Sequence, residues 1–164
     1  MLRKADNNAA FAVVAALGLF FIGGILTTVV PPLVDKSWSR PAPGLHKLTD
    51  VELNGRAIYV REGCWYCHTQ QVRSTEAHKG TVVRPGDIGA ETIPADYAGQ
   101  KPTFWGTERQ GPDLSHTASR QSEVWQREHL KDPRSTSPGS IMPSFGHLLQ
   151  DEIEALVAYL MTLK

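Results

Sequence analysis

The stretch Cys64-Trp65-Tyr66-Cys67-His68 decides how this chain is interpreted. Its C-x-x-C-H spacing is the one that attaches a c-type haem: the two thiols form thioether bonds to the porphyrin, and the histidine binds the iron. The chain contains 2 cysteines, and both lie in this stretch. One covalent haem c at Cys64 and Cys67 would therefore use every thiol, and His68 would be the proximal iron ligand.

Two other kinds of site share part of this pattern. A C-x-x-C pair also occurs as a redox dithiol in a βαβ setting, but the sequence downstream is broken by proline and glycine and offers no such unit. A structural zinc site would need a second closely spaced pair of Cys or His ligands. The nearest candidates, His78 and His116, lie far apart in the sequence. The motif therefore favours covalent haem attachment.

The second axial ligand of the iron is expected to be Met142. Methionine paired with histidine raises the reduction potential of a haem and suits electron transfer. Of the 3 methionines, Met1 precedes an apolar segment and Met161 lies in the last turn of a predicted helix, whereas Met142 lies in a loop rich in Pro, Ser and Gly. The competing ligands are His116, His129 and His147. The remaining histidines, His46 and His78, are expected in solvated loops or linkers.

An uncharged apolar segment runs from Ala9 to Val30. As an α-helix it would be ~33 Å long, which is enough to cross the hydrocarbon core of a bilayer. A cleaved secretory signal is the alternative, but its apolar region would be shorter and would end at a small-residue cleavage site, whereas Pro31-Pro32 follows here. We predict a transmembrane helix over 9–30, preceded by a short tail over 1–8.

The rest of the chain is expected to form a tether and one domain. Residues 31–48 are rich in proline and mixed in charge, which is typical of an extended linker. Residues 49–164 have the size of one domain, and a haem would supply part of its core. The chain contains 17 Lys and Arg and 17 Asp and Glu, and its net charge is zero. Nucleic-acid binding is not predicted, because the chain has neither a basic stripe nor a recognition motif.

Two helices are predicted to bracket this domain. Thr49 and Asp50 supply an N-cap for the first helix, which ends at Gly63 directly before the haem motif. The second begins at Asp151 and carries apolar residues at helical spacing. These residues are Ile153, Leu156, Val157 and Leu160.

The two helices are expected to pack against each other. Gly55 has no side chain, so the backbones could approach closely where Gly55 and Tyr59 face Leu156 and Tyr159. Two separate surface helices are the alternative that periodicity leaves open. No strand pattern of comparable strength is present, and prolines interrupt the middle of the domain. We predict a mainly α fold, with a single N-terminal transmembrane helix plus a small class I-like cytochrome c domain.

Four blocks of the sequence resemble the mono-haem membrane cytochrome c subunit (subunit II) of cbb(3)-type cytochrome c oxidases. In chain order they are Gly63–Arg73, Trp105–Leu114, His129–Arg134 and Met142–Phe145. C-x-x-C-H is shared by many c-type cytochromes, whereas the Trp-Gly-x-x-Arg-x-Gly-Pro-Asp-Leu block is more restrictive. The family usually carries a longer insertion between the Met-Pro segment and the terminal helix, whereas here the short segment 145–150 leads straight into Asp151. Partner contacts made by that insertion are therefore not carried over to this chain.

The resemblance implies roles for individual residues. His68 and Met142 would be the axial ligands, and the carbonyl of Pro112 would accept a hydrogen bond from the far ring nitrogen of His68. Arg109 would pair with a haem propionate, because its planar fork suits a carboxylate. Trp105 would line the haem edge. A solvated arginine and a packed tryptophan are the alternatives for these last two residues.

Other polar residues of these blocks are expected to have structural roles. Asp113 and Arg134 are interpreted as local partners of neighbouring groups and not as chemical actors. No general base, nucleophile or substrate pocket stands out in the sequence. The chain itself is therefore predicted to have no catalytic site of its own.

The resemblance also implies a function for the chain. It would be the electron-transfer subunit of a terminal oxidase, receiving electrons from a c-type cytochrome donor or subunit. The electrons would pass to the haem b of a haem-copper oxidase catalytic subunit, where O₂ is reduced to water.

The orientation of the chain in the membrane does not follow from its charges, because the positive charges on the two sides of the predicted transmembrane helix nearly balance. Covalent haem attachment takes place outside the bacterial inner membrane, so the haem domain would lie on the periplasmic or outer side, anchored in the lipid bilayer.

Two other functions fit the same motif. The small cytochrome c subunit of a nitric oxide reductase is also anchored by one helix and carries one haem, and consumption of O₂ against NO would separate the two. A membrane-anchored haem c gas sensor would leave the sixth position of the iron vacant. A visible spectrum would decide that case, because a sulfur-iron bond gives a weak band near the red edge in the oxidised state.

Overall fold

The structure is a computed structural model that describes residues 2–36, 40–73, 90–106 and 109–164. Its α-helices are α1 (Leu2–Gly24), α2 (Val30–Val34), α3 (Asp50–Arg61), α4 (Thr117–Arg120), α5 (Glu123–Lys131), α6 (Pro133–Thr136) and α7 (Gln150–Leu160). A π-helical turn over Ile25–Val29 joins α1 to α2, and 3₁₀ turns cover Cys64–Tyr66 and Pro94–Tyr97. No strand occurs among the described residues, and the predicted mainly α fold is confirmed.

The chain divides into two compact units. The first comprises residues 1–43 and 94–99, and the second comprises residues 44–93 and 100–164. Within the first unit, the N–H of Ala42 donates to the carbonyl of Ala95 at 3.1 Å. The domain boundaries drawn from the sequence stay a prediction.

The first unit contains one apolar helix that fits a membrane anchor. The segment Asn8–Val34 is long and apolar enough to cross a membrane by its length and composition. Its two threonines bond to carbonyls of the preceding turn, Thr27 to Gly23 at 2.7 Å and Thr28 to Gly24 at 2.6 Å. These hydroxyls are thus satisfied inside the helix, as an apolar surrounding requires.

The helix continues beyond Val30, where the sequence predicted that the tether begins. Pro31 and Pro32 lie in the first turn of α2, and in a first turn the missing N–H of a proline interrupts no helical hydrogen bond. The N–H of Asp35 closes α2 by donating to the carbonyl of Pro31 at 2.8 Å. The chain therefore leaves the helix after Val34.

In the second unit, α3 begins after Thr49, as the sequence predicted, and it ends at Arg61, two residues before the predicted Gly63. The hydroxyl of Thr49 accepts the N–H of Glu52 at 3.4 Å, and the carboxylate of Glu52 accepts the N–H of Thr49 at 2.6 Å. This reciprocal pair is a capping box. The chain turns out of the helix at Gly63, whose φ of 71° favours glycine. Cys64 follows directly.

Helices α3 and α7 cross at Gly55. A Cβ atom on Gly55 would lie 1.9 Å from the carbonyl oxygen of Ala155 and 2.9 Å from the Cβ of Tyr159. The rings of Tyr59 and Tyr159 meet edge to face with their centroids 5.5 Å apart. The predicted packing of Gly55 and Tyr59 against the C-terminal helix is confirmed.

The hydrophobic core of the second unit is built around α7. The four residues that the helical spacing selected are all buried: Ile153, Leu156, Val157 and Leu160. Residues from α3, α5 and the loops complete the core: Ile58, Tyr59, Phe104, Leu130, Phe145 and Leu148. Arg127 of α5 forms a two-point ion pair with Glu154 of α7, with both N–O distances 2.7 Å. Cys64 and Met142 are partly buried, and both pack against this core.

Candidate haem-binding site

The two cysteines and His68 lie on one short turn that follows α3. The carbonyl of Cys64 accepts the N–H of Cys67 at 3.3 Å and that of His68 at 3.0 Å, so the turn is closed by its own backbone. Both thiols are free and partly buried. The thiol of Cys67 lies 3.6 Å from the side-chain oxygen of Gln110. The motif thus forms a compact turn in which neither thiol is part of a disulfide.

The surroundings of Cys64 are apolar on the core side. Burial raises the pKa of the Cys64 thiol to about 12, because the thiolate would lose its hydration. Between the cysteines, Trp65 and Tyr66 stack with their ring centroids 4.1 Å apart, and Tyr66 is exposed. The turn therefore has one side against the core and aromatic side chains at the surface.

The ring of His68 is fixed by the backbone of Pro112. Nδ1 of His68 lies 2.7 Å from the carbonyl oxygen of Pro112. A carbonyl can only accept, so Nδ1 carries the proton and Nε2 keeps its lone pair. Burial lowers the pKa of His68, while the hydrogen bond to Pro112 and the charge of Asp113 oppose this shift. The imidazole is thus held in the neutral tautomer that binds metals through Nε2.

Gly111 forms the surface against which the imidazole lies. A Cβ atom on Gly111 would be 2.3 Å from Cε1, 2.7 Å from Nδ1 and 2.8 Å from Nε2 of His68. The N–H of Gly111 donates to the carbonyl of Cys67 at 2.9 Å, which ties this segment to the haem motif. Sequence reasoning missed this contact. The sequence feature that could have indicated the contact is the glycine directly before Pro112, in the Trp105–Leu114 block that resembles the family.

Arg109 is bound to the segment that follows His68. Its Nε donates to the hydroxyl of Thr69 at 2.8 Å, and its Nη2 donates to the carbonyl of Gln71 at 2.6 Å. Nη2 also lies 3.6 Å from the carboxylate of Asp113. Arg109 therefore connects two segments of the protein next to His68. Its contact with a haem propionate stays a prediction.

The other predicted site residues lie on separate loops. Trp105 is 50% exposed. Met142 is partly buried on the loop between α6 and α7, where its N–H donates to the hydroxyl of Ser140 at 3.2 Å. The turn that carries Cys64 and the loop that carries Met142 thus border the same core. The roles of Trp105 and Met142 toward a haem stay predictions.

Most of the remaining histidines have a polar partner. In three of them an oxygen atom lies close to Nε2. The oxygen belongs to Glu52 for His46 at 2.8 Å, to Ala90 for His116 at 3.2 Å and to Glu62 for His147 at 3.3 Å. His78, considered above as a possible zinc ligand, lies outside the described residues. In the described part of the chain, no group of three or more His, Cys, Asp or Glu side chains could hold a metal ion.

His129 of α5 is one of the competing ligands, and its ring is held by two neighbours. Its ring stacks on Trp125 with a centroid distance of 4.3 Å, and its Nδ1 lies 2.6 Å from the hydroxyl of Thr136. Burial lowers the pKa of His129, because the charged ring would lose its hydration. His129 therefore stays an alternative to Met142.

The described residues fit a covalently attached haem. Two free thiols precede a histidine whose Nδ1 proton is committed to Pro112, so Nε2 can donate to iron. Gly111 gives the imidazole the space that any other residue would fill. These are the donors that a c-type haem requires on its proximal side.

The chain matches a family model described as cytochrome c oxidase, mono-heme subunit/FixO, over residues 3–164. No curated protein matches the chain in sequence. The matched range includes the apolar helix, the haem motif, the Gly111-Pro112 segment and the loop of Met142. The family predicted from the sequence blocks is therefore confirmed, and its description implies one haem. This chain belongs to the FixO family of mono-haem cytochrome c oxidase subunits.

Proposed function

We propose that this chain is the electron-transfer subunit of a cbb(3)-type terminal cytochrome c oxidase, with one covalently bound His/Met haem c. Family membership supports the coarser part, a mono-haem subunit of a cytochrome c oxidase. The observation that carries the finer part is the position of the His68 imidazole. Directly after two free thiols, its imidazole lies against Gly111 and donates to Pro112 at 2.7 Å.

Each residue of the site would have one task. Cys64 and Cys67 would form the thioether bonds that attach the haem to the turn after α3. His68 would bind the iron through Nε2, while Pro112 holds the proton on Nδ1 and fixes the ring. Met142 would be the second axial ligand. A haem held by these ligands supplies one-electron transfer at a high potential.

The surroundings of the chain follow from this assignment. The helix Asn8–Val34 would anchor it in the bacterial inner membrane, with the haem unit on the periplasmic side. A c-type cytochrome would donate electrons, and the haem b of a haem-copper catalytic subunit would accept them. The reduction of O₂ would take place in that partner, so this chain would contribute to the enzyme without a catalytic site of its own.

Purification of the full chain with its companions tests the proposal. Produced in a bacterium that matures c-type cytochromes and extracted in mild detergent, the protein should retain haem after denaturation. It should also copurify with a haem b subunit in a complex that consumes O₂. The variant Cys67→Ala should keep at most one thioether link. A colourless parent protein would refute haem attachment, and a complex that consumes NO and not O₂ would refute the oxidase assignment.

Replacement of Met142 by leucine should lower the haem potential and leave the covalent attachment intact. Leucine keeps the volume and removes the sulfur, so the iron should lose its second ligand and bind CO. We expect a fall on the order of 0.1 V, within the roughly 0.8 V that axial ligands span. Redox titration and the weak sulfur-iron band of the oxidised state measure the change.

Met161→Leu is the matched control, because this methionine is also partly buried against the core. It should leave both the potential and the spectrum as in the parent protein. A Met142→Leu variant with the parental potential and no CO binding would show that Met142 is not the ligand. His129 would then be the next residue to replace.

A further inference from the structure

Asp113 carries a buried carboxylate and directly follows Pro112, whose carbonyl is bonded to His68. It is 1% exposed. Its Oδ2 accepts the hydroxyl of Thr69 in a short hydrogen bond and the N–H of Gln71 at 2.9 Å, and its Oδ1 accepts the N–H of Ser115 at 2.8 Å. A buried charge is costly unless it is paired and hydrogen-bonded, and both oxygens here have donors.

These bonds join the two segments that meet at the imidazole. Thr69 and Gln71 follow His68 in the sequence, whereas Asp113 follows Pro112, whose carbonyl holds Nδ1. Backbone bonds lie on both sides of this contact, from Gly111 to Cys67 at 2.9 Å and from Leu114 to Thr69 at 2.8 Å. The carboxylate therefore ties the Pro112 segment to the turn that carries His68.

Two arginines lie beside Asp113. The Nη2 of Arg109 lies 3.6 Å from Oδ2 and donates to the carbonyl of Gln71 at 2.6 Å. The Nη2 of Arg120 donates to the backbone carbonyl of Asp113 at 2.7 Å. In a buried setting a negative charge acts over a longer range than in water. It would favour the more positive, oxidised state of an iron bound to His68.

We propose that Asp113 is a positioning residue for His68, which holds the Pro112 carbonyl against the imidazole and lowers the potential of the haem by its charge. This inference rests on the proposed function, because it needs a haem on His68.

The variant Asp113→Asn, in the full haem-loaded chain in detergent, tests the charge while it keeps the shape. At a fixed applied potential, the ratio of reduced to oxidised haem should rise about tenfold, which equals about 59 mV for a one-electron couple. The matched control is Asp132→Asn. Asp132 accepts the N–H of Arg134 two residues on, as Asp113 does with Ser115, but it is exposed. This control should leave the potential unchanged.

A second variant keeps the inference testable if Asp113→Asn does not fold. Arg109→Gln removes the cation whose Nη2 lies 3.6 Å from Oδ2, which makes the net charge beside His68 more negative, so the potential should shift downward. Where both variants fold, the downward shift should be smaller in the Asp113→Asn background, because the two groups interact. An unchanged potential in Arg109→Gln would overturn the inference.

The outcomes separate this inference from the proposed function. A parent chain without covalent haem would refute the proposed function. A haem-loaded Asp113→Asn protein that melts at a lower temperature but keeps the parental potential would show a merely structural role for Asp113, and would overturn the inference alone.

Discussion

Replacement of Gly55 by alanine is expected to destabilise the second unit by about 3 kcal/mol or more, at the upper end of overpacking costs. The new Cβ would lie 1.9 Å from the carbonyl oxygen of Ala155 and 2.5 Å from its carbonyl carbon. Both are backbone atoms, so no side-chain rotation can relieve the clash. Helices α3 and α7 would have to separate, and the core between them would lose its packing.

The expected loss of stability is opposite in sign to the usual effect of replacing a helical glycine by alanine. At an exposed helical position, glycine to alanine stabilises a helix by about 1 kcal/mol. Asn54→Ala, at the exposed neighbouring position of α3, is the matched control and should be neutral or slightly stabilising. Thermal unfolding of the haem-loaded chain, followed by circular dichroism, measures both. A Gly55→Ala protein as stable as its parent would show that α3 and α7 do not cross here.

The sequence predicted the elements whose signals are local. Thr49 and Gly63 mark the ends of α3, because a cap and a left-handed glycine act within one turn. The buried face of α7 follows from its helical spacing. The crossing at Gly55 could also be predicted, because a glycine inside a helix needs a reason and close packing supplies one.

Elements without such signals escaped prediction. The short helices α4 and α6 have four residues each, too few to show a periodic pattern. The continuation of the apolar helix through Pro31 was not predicted, because a proline usually ends a helix. Its position in the first turn of α2, which removes that objection, depends on the π turn before it.

The candidate site shows the same division. The haem motif is contiguous, so its chemistry could be derived from five residues. The bond from His68 to Pro112 spans 44 residues, and the sequence supplied it only through the resemblance to a family. The contacts of Gly111 with the imidazole and of Arg109 with Thr69 are tertiary. They depend on how two loops meet, which no local pattern determines.

Replacement of Gly111 by alanine is expected to disturb His68, the proposed proximal ligand, without loosening the proposed covalent attachment of the haem. The new Cβ would lie 2.3 Å from Cε1 of His68, and the ring would have to move by about 1 Å to reach an ordinary contact distance of about 3.5 Å. The backbone of Gly111 cannot retreat freely, because its N–H is bonded to Cys67 at 2.9 Å. The imidazole is thus expected to lose its bond to Pro112.

Three measurements follow from that displacement. If the haem is bound as proposed, it should stay attached through Cys64 and Cys67, the iron should bind CO more readily because its bond to His68 is weaker, and the haem potential should shift. The unit should lose about 1–3 kcal/mol of unfolding free energy, as is usual for overpacking. Gly146→Ala is the matched control, since its Cβ would lie 3.2 Å from the Ser144 hydroxyl and 3.4 Å from the Lys131 carbonyl oxygen, which are much looser contacts than the one at Gly111. If Gly111→Ala kept the parental spectrum and CO reactivity, the imidazole could not be seated on Gly111, and the proximal site derived from that contact would have to be abandoned.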